Sequence, residues 1–180
     1  MPNEKIEIKK FKVLPSTNRK AKELALKGIK PWAVILAEKQ TAGYGRKGSS
    51  WFSPKGGLYF SVILPKSQLE DLQTLTILSA FILAKVIKEN FNLEPQIKLP
   101  NDILLNGKKV AGILTENVID KEVKFSVMGI GLNTNIKKFS KDLENTTTSL
   151  KIELGKEVDS EKILKQIIKG IKEQLATISE

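Results

Sequence analysis

Asn106-Gly107 falls between two apolar runs, Ile103 to Leu105 and Lys109 to Val118, and this pair constrains the chain more than any other feature. Both residues tolerate the positive φ of a type I′ turn, whose twist matches that of two antiparallel strands. A second reversal near Asp120-Lys121 leads into Val123 to Ile130, so residues 103–130 read as an antiparallel meander. A two-residue loop also sets the register, with Leu105 opposite Lys108, Leu104 opposite Lys109, Ile103 opposite Val110 and Asp102 opposite Ala111. Side chains alternate along a strand, so Asp102, Leu104, Lys109 and Ala111 are expected on one face. Asp102 and Lys109 are then diagonal neighbours with Cβ atoms roughly 7 Å apart or less, close enough for both to reach one small ligand. The same geometry also suits a plain surface ion pair worth about 0–1 kcal/mol. Lys108 is expected to point the other way, into solvent.

The remaining pattern fits around this meander. Ile6, Ile8, Phe11 and Val13 suggest a half-buried first strand with an irregularity near Lys9 and Lys10. Ser16 and Thr17 offer N-caps to a short helix in which Ala21, Leu24 and Ala25 share a face and Gly28 supplies the stop. Ala33 to Ala37 reads as a central strand and Leu58 to Leu64 as an alternating one. Leu69 to Asn90 is the longest helical pattern, with Leu72, Leu75, Leu78, Ile82 and Val86 as its stripe. Gln96 to Leu99 precedes the turn Pro100-Asn101-Asp102. A last helix runs from about Ser160 with Ile163, Ile167, Ile171, Leu175 and Ile178 on one side. Strands in hairpins, three helices and no regular βαβ alternation indicate an α+β fold, a mixed and largely antiparallel sheet flanked by helices. Residues 1–180 are expected to form a single domain.

The residues that are missing narrow the chemistry. With neither His nor Cys, the chain has no imidazole acid/base, Ser-His-Asp triad, thiol nucleophile, disulfide or His/Cys zinc site. Its net charge of +10 favours an anionic partner. Of 30 basic residues only Arg19 and Arg46 are arginine. The lysines are spread along the whole chain without an aromatic-interleaved cluster, so no nucleic-acid partner is expected. The charged, alternating start is unlike a signal peptide and no apolar run approaches the roughly 20 residues of a membrane span. A cytoplasmic protein with no membrane association is the expectation.

Between Gln40 and Gly57 the periodicity disappears into Gly, Ser, Lys and Pro. Such a long patternless stretch inside a domain is more often functional than idle. Gly43-Tyr44-Gly45-Arg46-Lys47-Gly48 is a literal GxGxxG after a strand, but Pro54 and two further glycines follow where a dinucleotide-binding motif needs a helix. Ser49 stands where a Walker A loop needs Lys. What remains is a loop whose glycines let backbone approach a ligand and whose Arg46 can grip a phosphate with two parallel hydrogen bonds, or else a flexible hairpin tip.

Read in order, five segments resemble the biotin protein ligases: Ser16-Thr17-Asn18; Glu38 to Trp51; Lys98-Leu99-Pro100-Asn101-Asp102; Lys108-Lys109-Val110-Ala111-Gly112; and Gly129-Ile130-Gly131-Leu132-Asn133. Each is weak alone, and their order and spacing are specific. The resemblance implies a fold like that of class II aminoacyl-tRNA synthetases. It implies an ATP-dependent enzyme that adenylates biotin to biotinyl-5′-AMP and transfers biotin to a lysine of a biotin carboxyl carrier protein. ATP and biotin would be substrates, with Mg²⁺ accompanying ATP and no resident metal site.

The resemblance further implies that Ser16, Thr17 and Gln40 bind the biotin ring with Asn18 in support. The loop containing Gly43, Tyr44 and Gly45 orders over the ligand, and Arg46 contacts the carboxylate and then the phosphate. Lys109 contacts the biotin carbonyl and α-phosphate, and Asp102 orients the incoming amine beside Asn101. Gly112, Gly129 and Gly131 line the pocket where a Cβ would collide with ligand or backbone, Trp51 packs against the loop or the adenylate, and Asn133 completes the set. Leu99 stands where the family usually has Trp, and Tyr44 where it often has Arg. The family's small C-terminal β-barrel and the regulatory members' N-terminal helix-turn-helix are not expected here, while homodimerisation through the sheet is.

Overall fold

The computed structural model describes residues 6–65, 71–120 and 122–178. In chain order these hold β1 (Ile8–Phe11), α1 (Thr17–Leu26), β2 (Val34–Ala37), a 3₁₀ turn (Arg46–Gly48), β3 (Leu58–Pro65), α2 (Leu72–Phe91), β4 (Gln96–Lys98), β5 (Asp102–Leu105), β6 (Lys108–Asp120), β7 (Glu122–Leu132), α3 (Leu150–Leu154) and α4 (Ser160–Ile178). The strands make one sheet in the order β1-β2-β3-β7-β6-β5-β4. Among the described strands only the β1/β2 pair is parallel, so the sheet is mixed and largely antiparallel.

Alternation along the strands divides the interior in two. Phe60, Val62 and Leu64 of β3 and Met128, Ile130 and Leu132 of β7 face α2 and α4, where Leu75, Leu83, Ile87, Ile163, Ile167 and Ile171 complete the larger core. On the opposite face Ile63, Val127 and Val118 pack with Ala21 and Ala25 of α1. The α2 stripe is turned from the one the spacing suggests. Ser79 and Ala80 are fully buried whereas Leu78 and Ile82 are only partly so, because small residues let the helix approach the sheet. Ile82 packs instead toward α4, at Gly170, where a Cβ would come within 2.8 Å of its Cγ2.

The caps follow local chemistry. Ser16 Oγ accepts from the Arg19 amide to start α1, and Asp71 accepts from the amides of Gln73 and Thr74 to start α2. Asn106 and Gly107 take φ of 50° and 76°, the pair of positive values that a type I′ turn demands. Leu105 pairs with Lys108 and Leu104 with Lys109, as the turn requires.

Beyond that point the register departs from regular pairing. Ile103 pairs with Ala111 and Asp102 with Gly112, so Val110 is an extra residue in β6, a β-bulge. Val110 and Ala111 consequently both enter the α2-side core. Gly112, not Ala111, shares the Asp102 face. Lys108 is not simply solvated, since its Nζ donates to the Glu144 carbonyl at 2.8 Å. Val13 is half exposed and lies outside β1, and α3 forms in a stretch without helical periodicity, capped by Ser149 Oγ on the Ile152 amide. Leu69, Lys121 and the side chain of Ile178, to which the sequence pattern assigned a helix start, a reversal and the end of a stripe, lie outside the described residues.

Candidate functional site

Three glycines open the α1 side of the sheet. Gly129 and Gly131 alternate with the core residues Met128, Ile130 and Leu132 on β7, and Gly112 pairs directly with Gly131 on β6. Where neighbouring strand positions carry bulky side chains, this face is left bare, and a cavity of about 300 Å³ lies over it. Its floor is not empty of protein. A Cβ on Gly131 would strike the Trp51 indole and one on Gly129 would strike the Asn18 amide, while one on Gly112 would lie 3.2 Å from Cζ3 of the same indole. The glycines therefore make room for two side chains that shape the pocket, not only for a ligand or a neighbouring backbone.

Charge is concentrated beside the indole. Lys109 Nζ lies 5.1 Å from the centroid of the Trp51 ring, a cation–π arrangement. The same ammonium is 2.8 Å from Asp102 Oδ1, with both side chains about a quarter exposed. That contact is an ion pair without aligned hydrogen-bond geometry, since the buried Oδ1 accepts no hydrogen bond. Trp51 Nε1 is likewise buried without an acceptor. The bulge at Val110 produces this arrangement, because it places Lys109 and Gly112 on the same face as Asp102.

At the other end of the cavity, polar side chains hold one another. Gln40 Oε1 accepts from the Thr17 amide at 2.8 Å and from Thr17 Oγ1 at 3.2 Å, and Gln40 Nε2 donates to Ser53 Oγ. Ser61 Oγ sits 2.8 Å from Thr17 Oγ1 and 2.6 Å from Asn18 Oδ1. Asn18 Nδ2 donates to Glu116 Oε2 at 2.8 Å. Glu116 also accepts from Tyr44 Oη at 2.8 Å and from Lys22 Nζ at 2.6 Å. Burial by itself raises the Glu116 carboxyl, but the hydrogen bonds from Lys22, Asn18 and Tyr44 outweigh it and hold the group below the ordinary carboxylate range. Burial first, and then the bond to Glu116, push the Tyr44 phenol well above its usual range.

The glycine-rich segment is a small hairpin over the cavity. Tyr44 bridges Ser50, the Gly45 amide donates to Ser49 O at 2.7 Å, and the Trp51 amide donates to Gly43 O. Lys47 and Gly48 turn the tip with φ of 55° and 76°. Arg46 stands on that tip, exposed, among the residues lining the cavity.

Ser16, Thr17, Asn18, Gln40, Tyr44, Gly45, Arg46, Trp51, Asn101, Asp102, Lys109, Gly112, Gly129 and Gly131 all line this one cavity. Gly43 and Asn133 do not. A Cβ on Gly43 would come within 2.9 Å of Ser53 Oγ, Trp51 O and Gln40 Nε2, so it packs the base of the hairpin. Asn133 is 1% exposed and braces the segment after β7, its Nδ2 donating to Thr148 O and its carbonyl accepting from the Leu150 amide. Lys47 joins Arg46 in the lining, Ser49 and Ser50 join it without having been singled out, and Glu116 lies behind the wall. Strand parity carries a signal for it, since Glu116 follows Gly112 and Leu114 at intervals of two.

The model of the biotin/lipoate A/B protein ligase family matches residues 10–133. The chain is 38% identical over 161 residues to the bifunctional ligase/repressor BirA of Bacillus subtilis, covering 87% of this chain and 50% of that protein. It is 37% identical over 126 residues to the biotin acetyl-CoA-carboxylase ligase of Paracoccus denitrificans, covering 66% of this chain and 50% of that one. The chain thus spans about half the length of these curated relatives. Among solved structures, the biotin protein ligase from Aquifex aeolicus in complex with biotin and ATP superposes with a TM-score of 0.87 at 29% identity, over 96% of this chain and 72% of that one. The Leishmania major biotin protein ligase in complex with biotinyl-5-AMP gives 0.78 at 25%, over 95% and 75%.

Proposed function

Because the chain belongs to the biotin/lipoate A/B protein ligase family, we propose that it adenylates biotin with MgATP and transfers biotin to a lysine of a biotin carboxyl carrier protein. The observation that carries the reading is the cavity itself. Its lining combines uncharged polar side chains, Ser16, Thr17 and Gln40, with the cations Arg46 and Lys109, the groups suited to a molecule with a ureido ring and a carboxylate.

In the first step a biotin carboxylate oxygen attacks the α-phosphorus of ATP, the mixed anhydride forms, and pyrophosphate leaves. The nucleophile is already an anion, so no His or Cys is required. Catalysis is alignment plus neutralisation of phosphate charge. Arg46 on the hairpin tip and Lys109 beside Trp51, both lining the cavity, would supply that charge. Asp102 anchors the Lys109 ammonium while its Oδ1 retains an unused lone pair. In the second step the neutral amine of the carrier's lysine attacks the anhydride carbonyl, the C–N bond forms as the bond to the phosphate oxygen breaks, AMP leaves and the amine's proton passes to solvent. Asp102 would accept a hydrogen bond from that amine and orient it.

Gly112, Gly129 and Gly131 serve the site through the side chains they admit, Trp51 and Asn18. Asn101, next to Asp102, lines the same cavity. Among the described residues no helix is long and apolar enough to cross a membrane. Pairing of two copies along a sheet edge, β1 or β4, is proposed with this activity and is read by sedimentation equilibrium. The activity is tested by biotin-dependent exchange of labelled pyrophosphate into ATP. Exchange that lipoate does not support is the expected result, and its absence with biotin overturns the reading.

A further inference from the structure

Glu116 joins three parts of the molecule near the cavity, and the adenylation scheme does not use it. It projects from β6 on the site face. Its Oε2 accepts from Asn18 and Tyr44, both at 2.8 Å, and its Oε1 from Lys22 at 2.6 Å. One carboxylate thus ties α1, the glycine-rich hairpin and the sheet together. Separations of 98, 72 and 94 residues mean that none of these contacts follows from chain proximity. Arg19, one position after Asn18, stacks its guanidinium 5.4 Å from the centroid of the Tyr44 ring, so the phenol is gripped at its face as well as its hydroxyl.

Tyr44 is the position where the hairpin leaves the body of the protein. Below it Gly43 is packed tightly against Ser53, Trp51 and Gln40, and above it the Gly45–Ser49 tip carries Arg46. A hydroxyl–carboxylate bond made at the stem therefore fixes the direction in which the tip points. Gly45 and Gly48 give the tip little stiffness of its own. We propose that Glu116 is a positioning residue, which through Tyr44 anchors the stem of the hairpin over the cavity and so places Arg46. The Asn18 bond couples that anchor to the pocket floor, because Asn18 occupies the space over Gly129.

Ligand-free wild type, Tyr44→Phe, Glu116→Ala and Glu116→Gln are compared by limited trypsin digestion, following cleavage after Arg46 and Lys47. Tyr44→Phe removes one hydroxyl and leaves the ring under Arg19. It should be cut at these two sites about tenfold faster than wild type, the lower end of what losing one charge-assisted hydrogen bond releases. Glu116→Ala should match or exceed that rate. Glu116→Gln keeps an acceptor oxygen for Tyr44 and should fall between it and wild type. In pyrophosphate exchange the same variants should raise the KM for biotin while kcat changes little, a split that general destabilisation would not give. Tyr44→Phe cleaved at the wild-type rate overturns the proposal. If Glu116→Ala is cut throughout the chain, its folding is lost and Tyr44→Phe alone decides. The kinetic arm rests on the biotin-adenylating reading, but the proteolytic arm does not. Absence of exchange in wild type therefore discredits that reading and leaves the anchor to be judged by cleavage.

Discussion

Trp51 lies across Gly131, its indole in the space a side chain on that residue would need, and Lys109 caps the ring from 5.1 Å. Gly131→Ala should therefore displace the indole or strain β7, at about 1–3 kcal/mol, the usual cost of overpacking a filled interior. Urea unfolding measures the loss. Trp51 fluorescence, read in a Trp32→Phe background, should shift as the ring becomes more exposed. Unchanged fluorescence with unchanged stability would show that the indole does not rest on this strand.

Arg46→Ala should lower the rate of biotin-dependent pyrophosphate exchange by about 10²–10³, the range expected when a preorganised charge at the reacting centre is removed. The hairpin is otherwise intact in this variant, so protein stability should stay within about 0.5 kcal/mol of wild type, as for an ordinary surface substitution. Single-turnover adenylation separates the two effects.

Asp102 and Lys109 touch, yet their substitutions should part ways. Lys109→Ala removes a cation from the adenylation step and should depress pyrophosphate exchange. Asp102→Asn should leave exchange near wild type and slow transfer of biotin from preformed adenylate to the carrier. Equal exchange and equal transfer in Asp102→Asn would remove Asp102 from the mechanism.

Glu116 is held below its ordinary range by hydrogen bonds that outweigh its burial. A carboxylate lowered in the folded state stabilises fully above its unfolded pKa, about 4.3, and the contribution is lost as pH falls through the folded value. The unfolding free energy of wild type should exceed that of Glu116→Gln by on the order of 1 kcal/mol near neutrality, allowing for solvent screening of a partly exposed group. That gap should close in acid below about pH 4. A gap that ignores pH would mean the two proteins differ for some other reason.

Asn133 offers a contrast with the cavity residues. Its amide is buried and bonded to Thr148 rather than turned to the pocket. Asn133→Ala should cost about 1–3 kcal/mol through the carbonyl it leaves unpaired while the KM for biotin stays unchanged. A raised KM at unchanged stability would return Asn133 to the site.

The meander was legible because Asn-Gly specifies one turn and strand parity does the rest. The two long helices were legible because their apolar stripes are long enough to have a period. The bulge was not, since Val110 and Ala111 are both apolar and either could face the core in a regular strand. Asn133 sits in a run of residues that meets the cavity through Gly129 and Gly131, and only tertiary packing separates the brace from the lining. Glu116 was hidden for a different reason. A glutamate on a strand bordering water looks like solvated surface until the helix and hairpin that fill its acceptor positions, some 70 to 100 residues away in sequence, are folded against it.

The extra residue at Val110 makes the length of this segment as constrained as its chemistry. Lys109 and Gly112 share a face at a spacing of three, which an unbroken strand cannot provide. Deleting one residue between them gives a spacing of two, which still holds both on the Asp102 face but sends one apolar side chain instead of two into the layer under α2. The bulge is therefore a device of the core as well as of the site. Removing Val110 should lower stability through the lost packing while Lys109 and Gly112 keep facing Asp102, and apolar substitutions at Val110 should be tolerated far better than its removal.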